Sequence, residues 1–536
     1  MIMWVETPNL TQQGNPMDIK DFKELEKATK STQRDSLKIG LVVLFIIAIS
    51  IFAFSVKDVT SPSMLVFATI IGGYMAMNIG ANDVANNVGP SVGSKAITLF
   101  WAIVIAAVCE ALGAIIAGGD VVSTIKSGII NKDAITDSHI FLVLMFSALL
   151  SGALWLNLAT IVGAPVSTTH SLVGGILGAG IVAGGFGIVQ WGVLKNIALS
   201  WVISPLFGGV VAVIILLIIK KTILYKDDKK LAAKRVVPIL ITLMIFTFSL
   251  YLILKGLKKI LPMSMEVAVS VSAVLAIIGF FLIKPLVDIK SKKIQNTKED
   301  INELFTIPLV FAAALLSFAH GANDVANAIG PLAAINQVLS GGVDFTSKAP
   351  VPLWIMVVGA LGISLGLALY GPRLIKTVGN EITDLDKKRA FCVAMSAAIT
   401  VLIASQLGLP VSSTHIAIGA IFGVGFLREY LQKKQYQAQQ MIIQAHAGKD
   451  EKEVEEFLRK YNSASMKRKG KILEALKRKE INILDKKERK TLKKAYKYEL
   501  VKRSALNKII ASWLITVPCS ALLGAGVYYI LIWIGF

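Results

Sequence analysis

Seven residues, G-A-N-D-V-A-N, occur twice in this chain, at 80–86 and again at 321–327. Each copy sets an aspartate, Asp83 or Asp324, between asparagines one residue before and three after it: Asn82 and Asn86, Asn323 and Asn327. The surroundings are apolar, and a carboxylate at membrane depth costs roughly 2.5–3.5 kcal/mol on insertion scales. On a helix the later asparagine shares the face of the aspartate. Carboxylate, amide oxygens and backbone carbonyls freed at a helix break would then form a hard-oxygen cage suited to a small cation such as sodium. Flanking glycines, with Pro90 and Pro331 downstream, predict that break. Capping of the broken helices is the plainer use of Asp and Asn, but a cap does not call for three polar residues duplicated at membrane depth.

A second duplicated signature is P-V-S-T-T-H at 165–170 and P-V-S-S-T-H at 410–415. Proline, then hydroxyl residues, then a Gly-rich apolar segment of about 15 residues reads as the start of a re-entrant hairpin arm, too short to span. Free N–H groups, a positive dipole end and clustered hydroxyls make an anion site without Arg or Lys. Ser167, Thr168 and Thr169 would face Ser412, Ser413 and Thr414 around a tetrahedral oxyanion. The bland alternative is hydroxyls that satisfy local backbone in tight membrane packing. His170 and His415 could titrate, donate to the anion or only orient the hairpins. His320 has Ile79 in its matched position, so a shared anion role is not expected of it. Glu110, matched by Gly359, is the remaining intramembrane acid and reads as part of the cation path or as a buried neutral group.

These residues must be positioned by elements in lipid. The chain has 536 residues, 54% of them hydrophobic and 17% charged. Apolar runs from 39–55 through 509–534 each approach the roughly 20 residues that cross a bilayer, and the expected fold is an all-α polytopic membrane protein of about 11–12 transmembrane segments. The net charge of +21 comes from Lys and Arg in loops that flank apolar segments, a topology signal rather than one for nucleic acid. Cys109, Cys392 and Cys519 lie in apolar runs at no metal-like spacing and read as small buried hydrophobes.

Beyond the two signatures, A-L-S-W-V-I at 198–203 matches A-S-W-L-I-T at 511–516, which makes the chain a tandem duplication. Loops 220–235 and 284–300 and the segment 428–508 are basic and read as cytoplasmic. The helix at Trp201 then ends inside while its partner at Trp513 starts inside, so the repeats point in opposite directions, as in transporters with a midplane site. Lys255, Lys258 and Lys259 fall against this scheme, in a loop placed outside. The organisation read from sequence is a cytoplasmic tail (1–38), an extra helix (39–62), repeat 1 (63–219), a linker of two transmembrane helices (220–300), repeat 2 (301–427 and 509–536) and a charged helical cytoplasmic insert (428–508).

On both signatures the chain closely resembles the inorganic phosphate transporter family, the PiT or Pho-4 permeases. The resemblance spans both halves and leaves out the first 60 or so residues, 220–300 and 428–508. It implies symport of inorganic phosphate driven by a cation gradient, sodium or proton, in an inverted-repeat fold with re-entrant hairpins in the cell membrane, and a homodimer. The family's cation sites map to the Asp83 and Asp324 motifs and its phosphate site to the two hydroxyl clusters. Many relatives carry a glutamate where this chain has Ala394. No cofactor, catalytic residue or nucleic-acid partner is expected. Sulfate transport is a rival within the class and an anion channel one outside it; an intramembrane hydrolase is disfavoured, because two equivalent hydroxyl clusters leave no single nucleophile.

Overall fold

The computed structural model describes residues 19–131, 135, 137–162, 166–256, 263–341, 350–381, 385–445, 456–459 and 504–536. Residues 1–18 of the tail, most of the insert, residues 163–165 at the start of the first P-V-S-T-T-H copy, and Lys258 and Lys259 lie outside them. The first part of the chain holds α1 (Ile19–Phe54), α2 (Pro62–Asn82), α3 (Val84–Gly93), α4 (Leu99–Ala117), α5 (Gly119–Ser127), α6 (Ser138–Val162), α7 (Thr168–Gly184) and α8 (Trp191–Ile219). Next come α9 (Lys229–Tyr251) and α10 (Met265–Lys292), with π-turns at Lys220–Leu224 and Leu252–Gly256. The rest holds α11 (Lys298–Ile301), α12 (Thr306–Leu339), α13 (Leu353–Glu381), α14 (Lys387–Gln406), α15 (Ser413–Ala445) and α16 (Ser504–Trp533). Among the described residues, 11 helices are long and apolar enough to cross a bilayer, in agreement with the all-α expectation.

Two expectations need correction. The polar motif does not break both helices. Asp83 forms a single-residue junction between α2 and α3, but α12 runs unbroken through His320, Asp324 and Pro331. A proline removes one N–H and a glycine costs about 1 kcal/mol, penalties that a fully packed helix absorbs. The second hairpin arm is also not a short one: α7 has 17 residues, whereas α15 has 33 and continues into the charged insert.

Corresponding helices pack across the halves. The motif helix α2 lies on α13, and its counterpart α12 lies on α4. The glycine that opens each motif permits this approach. A Cβ on Gly80 would sit 1.9 Å from the Ile363 carbonyl oxygen, and one on Gly321 would sit 2.1 Å from that of Glu110. Likewise α7 packs on α16, and α15 packs on α8. The start of α2 meets the end of α12, where Thr60 N donates to the Leu339 carbonyl at 2.7 Å. At the opposite ends, the backbone N–H of Lys229 donates to Asn296 Oδ1 at 2.8 Å, and Lys387 Nζ binds Glu303 at 2.7 Å. Cys392 is buried, Cys109 and Cys519 are half-buried, and all three are free.

Candidate functional site

Helices α6 and α7 form one hairpin and α14 and α15 another, and their tips meet where the two aspartate motifs converge. Each tip begins a helix with a serine cap: Ser167 Oγ accepts from the N–H of His170, and Ser412 Oγ from that of His415, both at 3.3 Å. The remaining early N–H groups of α7 and α15 have no acceptor one turn earlier in their own helices, which makes each tip a positive dipole end. Ser167 and Ser412 thus serve the local backbone, as the bland reading holds, while the threonines reach across to the other half and Ser413 bonds the aspartate of its own half.

The reach is crosswise. Asn86 Nδ2 donates to Thr414 Oγ1 at 2.9 Å, and Thr414 donates in turn to Asp83 Oδ1 at 3.2 Å. In the other direction Asn327 Nδ2 donates to Thr168 and Thr169 at 3.3 and 3.1 Å, and Thr169 donates to the Val411 carbonyl at 2.9 Å. Ser413 donates to Asp324 Oδ2 at 2.9 Å. Asp83, Asp324, Asn327 and all six hydroxyl residues are buried, whereas Asn82 and Asn86 are half-buried. Capping does not account for the aspartates. Asp83 makes no side-chain cap bond, and Asp324 is in mid-helix.

Carboxylate oxygens of Asp83 and Asp324 and a ring nitrogen of His320 all lie within 4.8 Å of one another. Two unit charges at that separation repel by roughly 3 kcal/mol at an effective dielectric near 20, a strain that either a proton or a cation between them relieves. Asp324 Oδ1 and Asn327 Oδ1 are buried and accept no hydrogen bond among the described residues. Pro90 and Pro331 also deprive the Asn86 and Asn327 carbonyls of the donor four residues on. The spare ligands are therefore hard oxygens, which suit an alkali or alkaline-earth ion. His320 does not extend the set, because Glu110 Oε2 lies 2.9 Å from its Nδ1 and Asp324 Oδ2 lies 2.8 Å from its Nε2.

That histidine is the residue the sequence reading passed over. It links Asp324 to Glu110, whose other oxygen accepts from Asn87 Nδ2 at 2.8 Å, so Glu110 is not an isolated acid. The signal was the i, i+4 spacing of His320 and Asp324, obscured by expecting a broken helix between them. Asn323 also has a different task from the one expected. Its amide donates to Ser405 Oγ and the Leu409 carbonyl, both at 3.0 Å, and its oxygen accepts from Val411 N at 3.1 Å, so it holds the second hairpin tip. His170 stacks on Trp201 with ring centroids 3.8 Å apart, bonds Ser167 Oγ at 2.7 Å and lies 4.7 Å from the His415 ring. Trp201 Nε1 donates to the Pro410 carbonyl at 3.1 Å, which joins the first half's last helix to the second tip. Ala394 is buried within an apolar cluster that spans α8, α9, α12, α14 and α15.

The chain is similar to known proteins over most of its length. A model of the phosphate transporter family matches residues 79–524. A Helicobacter pylori (strain ATCC 700392 / 26695) protein named "Putative phosphate permease" is 56% identical over 520 residues, covering 95% of this chain and 98% of that protein. A Thermococcus kodakarensis protein of the same designation is 41% identical, covering 68% of this chain and 89% of its own. Among solved structures, "The sodium-dependent phosphate transporter" superposes with a TM-score of 0.71 at 32% identity, covering 88% of this chain and 100% of that one. With its apolar spanning helices and both signatures inside the matched region, the chain is an integral membrane protein, not an enzyme, and belongs to the phosphate transporter family.

Proposed function

We propose that the protein is a symporter of inorganic phosphate driven by sodium, with cations held at Asp83 and Asp324 and phosphate between the hairpin tips. The observation that carries this reading is the direction of the hydroxyls: Thr414 donates to Asp83 and Ser413 to Asp324. An anion beside two carboxylates is repelled unless cations are present. A cation taking the carboxylate lone pairs releases the same hydroxyls to donate to phosphate oxygens, so each substrate favours the other's binding. The sodium assignment is supported by the oxygen-only spare ligands and by what the solved relative is named for.

The reading further takes residues 63–219 as one repeat and 301–427 with 509–536 as its inverted copy, rocking to alternate access. The antiparallel meeting of α2 with α12, and bonds that tie loop ends of like charge pattern together, support it. The same reading puts the N-terminus and the insert in the cytoplasm on the positive-inside rule, in the cell membrane, with the homodimer that the family resemblance implies. A proton is the second candidate for the coupling ion, favoured by the Asn87, Glu110, His320, Asp324 chain.

Purified protein in proteoliposomes, given radiolabelled phosphate under an imposed sodium or proton gradient, should accumulate phosphate above equilibrium with sodium. Uptake that merely equilibrates indicates a channel; accumulation with a proton gradient alone moves the coupling to protons. Equal competition by sulfate makes the site a general oxyanion permease.

A further inference from the structure

Lys255 is out of place by the charge rule, since it lies on the side read as non-cytoplasmic. Its contacts give it a task. From the π-turn after α9, its Nζ reaches Asp120 Oδ2 on α5 at 2.6 Å and donates to the Gln406 carbonyl, at the end of α14, at 3.3 Å. Two residues further along, Thr124 Oγ1 of the same α5 donates to the Gly408 carbonyl at 2.7 Å. Gly408 has φ 65°, the left-handed conformation that turns α14 toward the tip. The turn that carries Ser412, Ser413 and Thr414 is therefore gripped by its carbonyls from α5 of the first half and from the linker helices, which have no counterpart in either repeat.

We propose that Lys255, Asp120 and Thr124 form an outer clasp on the second hairpin, which positions the anion-binding tip and must release for that side to open. The inference rests on the transport reading above and adds positioning residues outside its site. Each bond is of a kind made and broken readily. The ion pair is partly exposed, with side-chain exposures of 27% and 53%, and such pairs are weak in water. A charged pair at this position also marks a water-filled vestibule rather than lipid. When the clasp opens, the carbonyls of Gln406 and Gly408 exchange these donors for water, so opening strands no buried polar group.

A disulfide can lock the grip. A Cβ built at Gly408 lies 3.2 Å from Thr124 Oγ1, within reach of the bridge in Thr124→Cys/Gly408→Cys; a side chain at φ 65° is strained, so the reduced double variant is the reference for the oxidised one. Oxidation of this double variant should lower phosphate uptake at least about tenfold, reversibly with reductant, with phosphate binding in detergent changed less than about twofold. Oxidised protein that transports at the reduced rate, with the bridge confirmed by mass spectrometry, overturns the clasp. A readout independent of transport uses Gln406→Cys: removing the ammonium with Lys255→Met should speed its labelling by a membrane-impermeant maleimide several-fold, and Lys255→Arg should restore the slow rate. Equal labelling rates overturn the proposal even if the double variant fails to fold. Absent phosphate uptake by the unaltered protein overturns the transport reading instead, and the labelling comparison still decides the clasp.

Discussion

The two copies of G-A-N-D-V-A-N are identical in sequence and unlike in surroundings. Four residues before Asp83 stands Ile79; four before Asp324 stands His320, which ties that carboxylate to Glu110. Asp83 sits at a helix junction beside half-buried Asn82, which donates to it at 3.3 Å, whereas Asp324 sits inside a continuous helix with Asn323 engaged in holding the hairpin tip. Duplication supplied two equal motifs, and the flanking residues made them unequal. Both carboxylates are buried, but one has half-buried asparagines beside it and the other is anchored in a buried polar chain.

The largest effect that tests this inequality comes from the aspartates themselves. Asp324→Asn should lower initial phosphate uptake roughly 100-fold or more, because it breaks a buried charge network. Asp83→Asn should lower it about tenfold less severely, with both proteins present in the membrane at normal amounts by immunoblot. Equal losses in uptake would show that the motifs are functionally alike.

Next in size, His320→Ile gives the second copy the first copy's flank. The sodium concentration for half-maximal uptake should rise about tenfold, matching the loss of one charge-assisted bond, and His320→Gln should recover part of it. An unchanged sodium dependence would reduce the histidine to packing. Thr169→Val and Thr414→Val remove hydroxyls that reach across from opposite tips. Each should weaken phosphate binding about fivefold or more by calorimetry, from roughly 1 kcal/mol per lost bond. Normal affinity in both would leave the hydroxyls a structural task alone. The smallest contrast separates the leading asparagines: Asn323→Ala should lower the thermal midpoint by about 1–3 °C, since it strands buried partners at about 1–3 kcal/mol, and Asn82→Ala should barely move it.

Much of this was legible in the residues. The polar motifs stand out because lipid tolerates so few polar groups, and their duplication paired Asp83 with Asp324 and Thr169 with Thr414 before any coordinates. What sequence left hidden was which polar residue meets which. Asn87 and Glu110 are 23 residues apart, and His320 is 210 residues from Glu110; no local period links them. The continuity of α12 was hidden for another reason. Glycine and proline are read as breaks from local cost, but that helix is buried along nearly its whole motif, and tertiary packing overrides the local penalty. The length of α15 was missed because only its apolar start was weighed, while its polar continuation was assigned to the insert.

The exchange of partners between halves bears on how the chain is made. While the ribosome is still translating the linker, α2 has no α13 to lie against, α4 lacks α12, and α7 lacks α16. The first half must therefore wait in the bilayer with its glycine faces uncovered and Asp83 without the threonine that bonds it. Maturation is then a late, concerted event that follows synthesis of the final helix. Two separately expressed halves should be degraded alone and rescued together, and pulse-labelled protein should gain protease resistance only after the C-terminal helix has left the translocon.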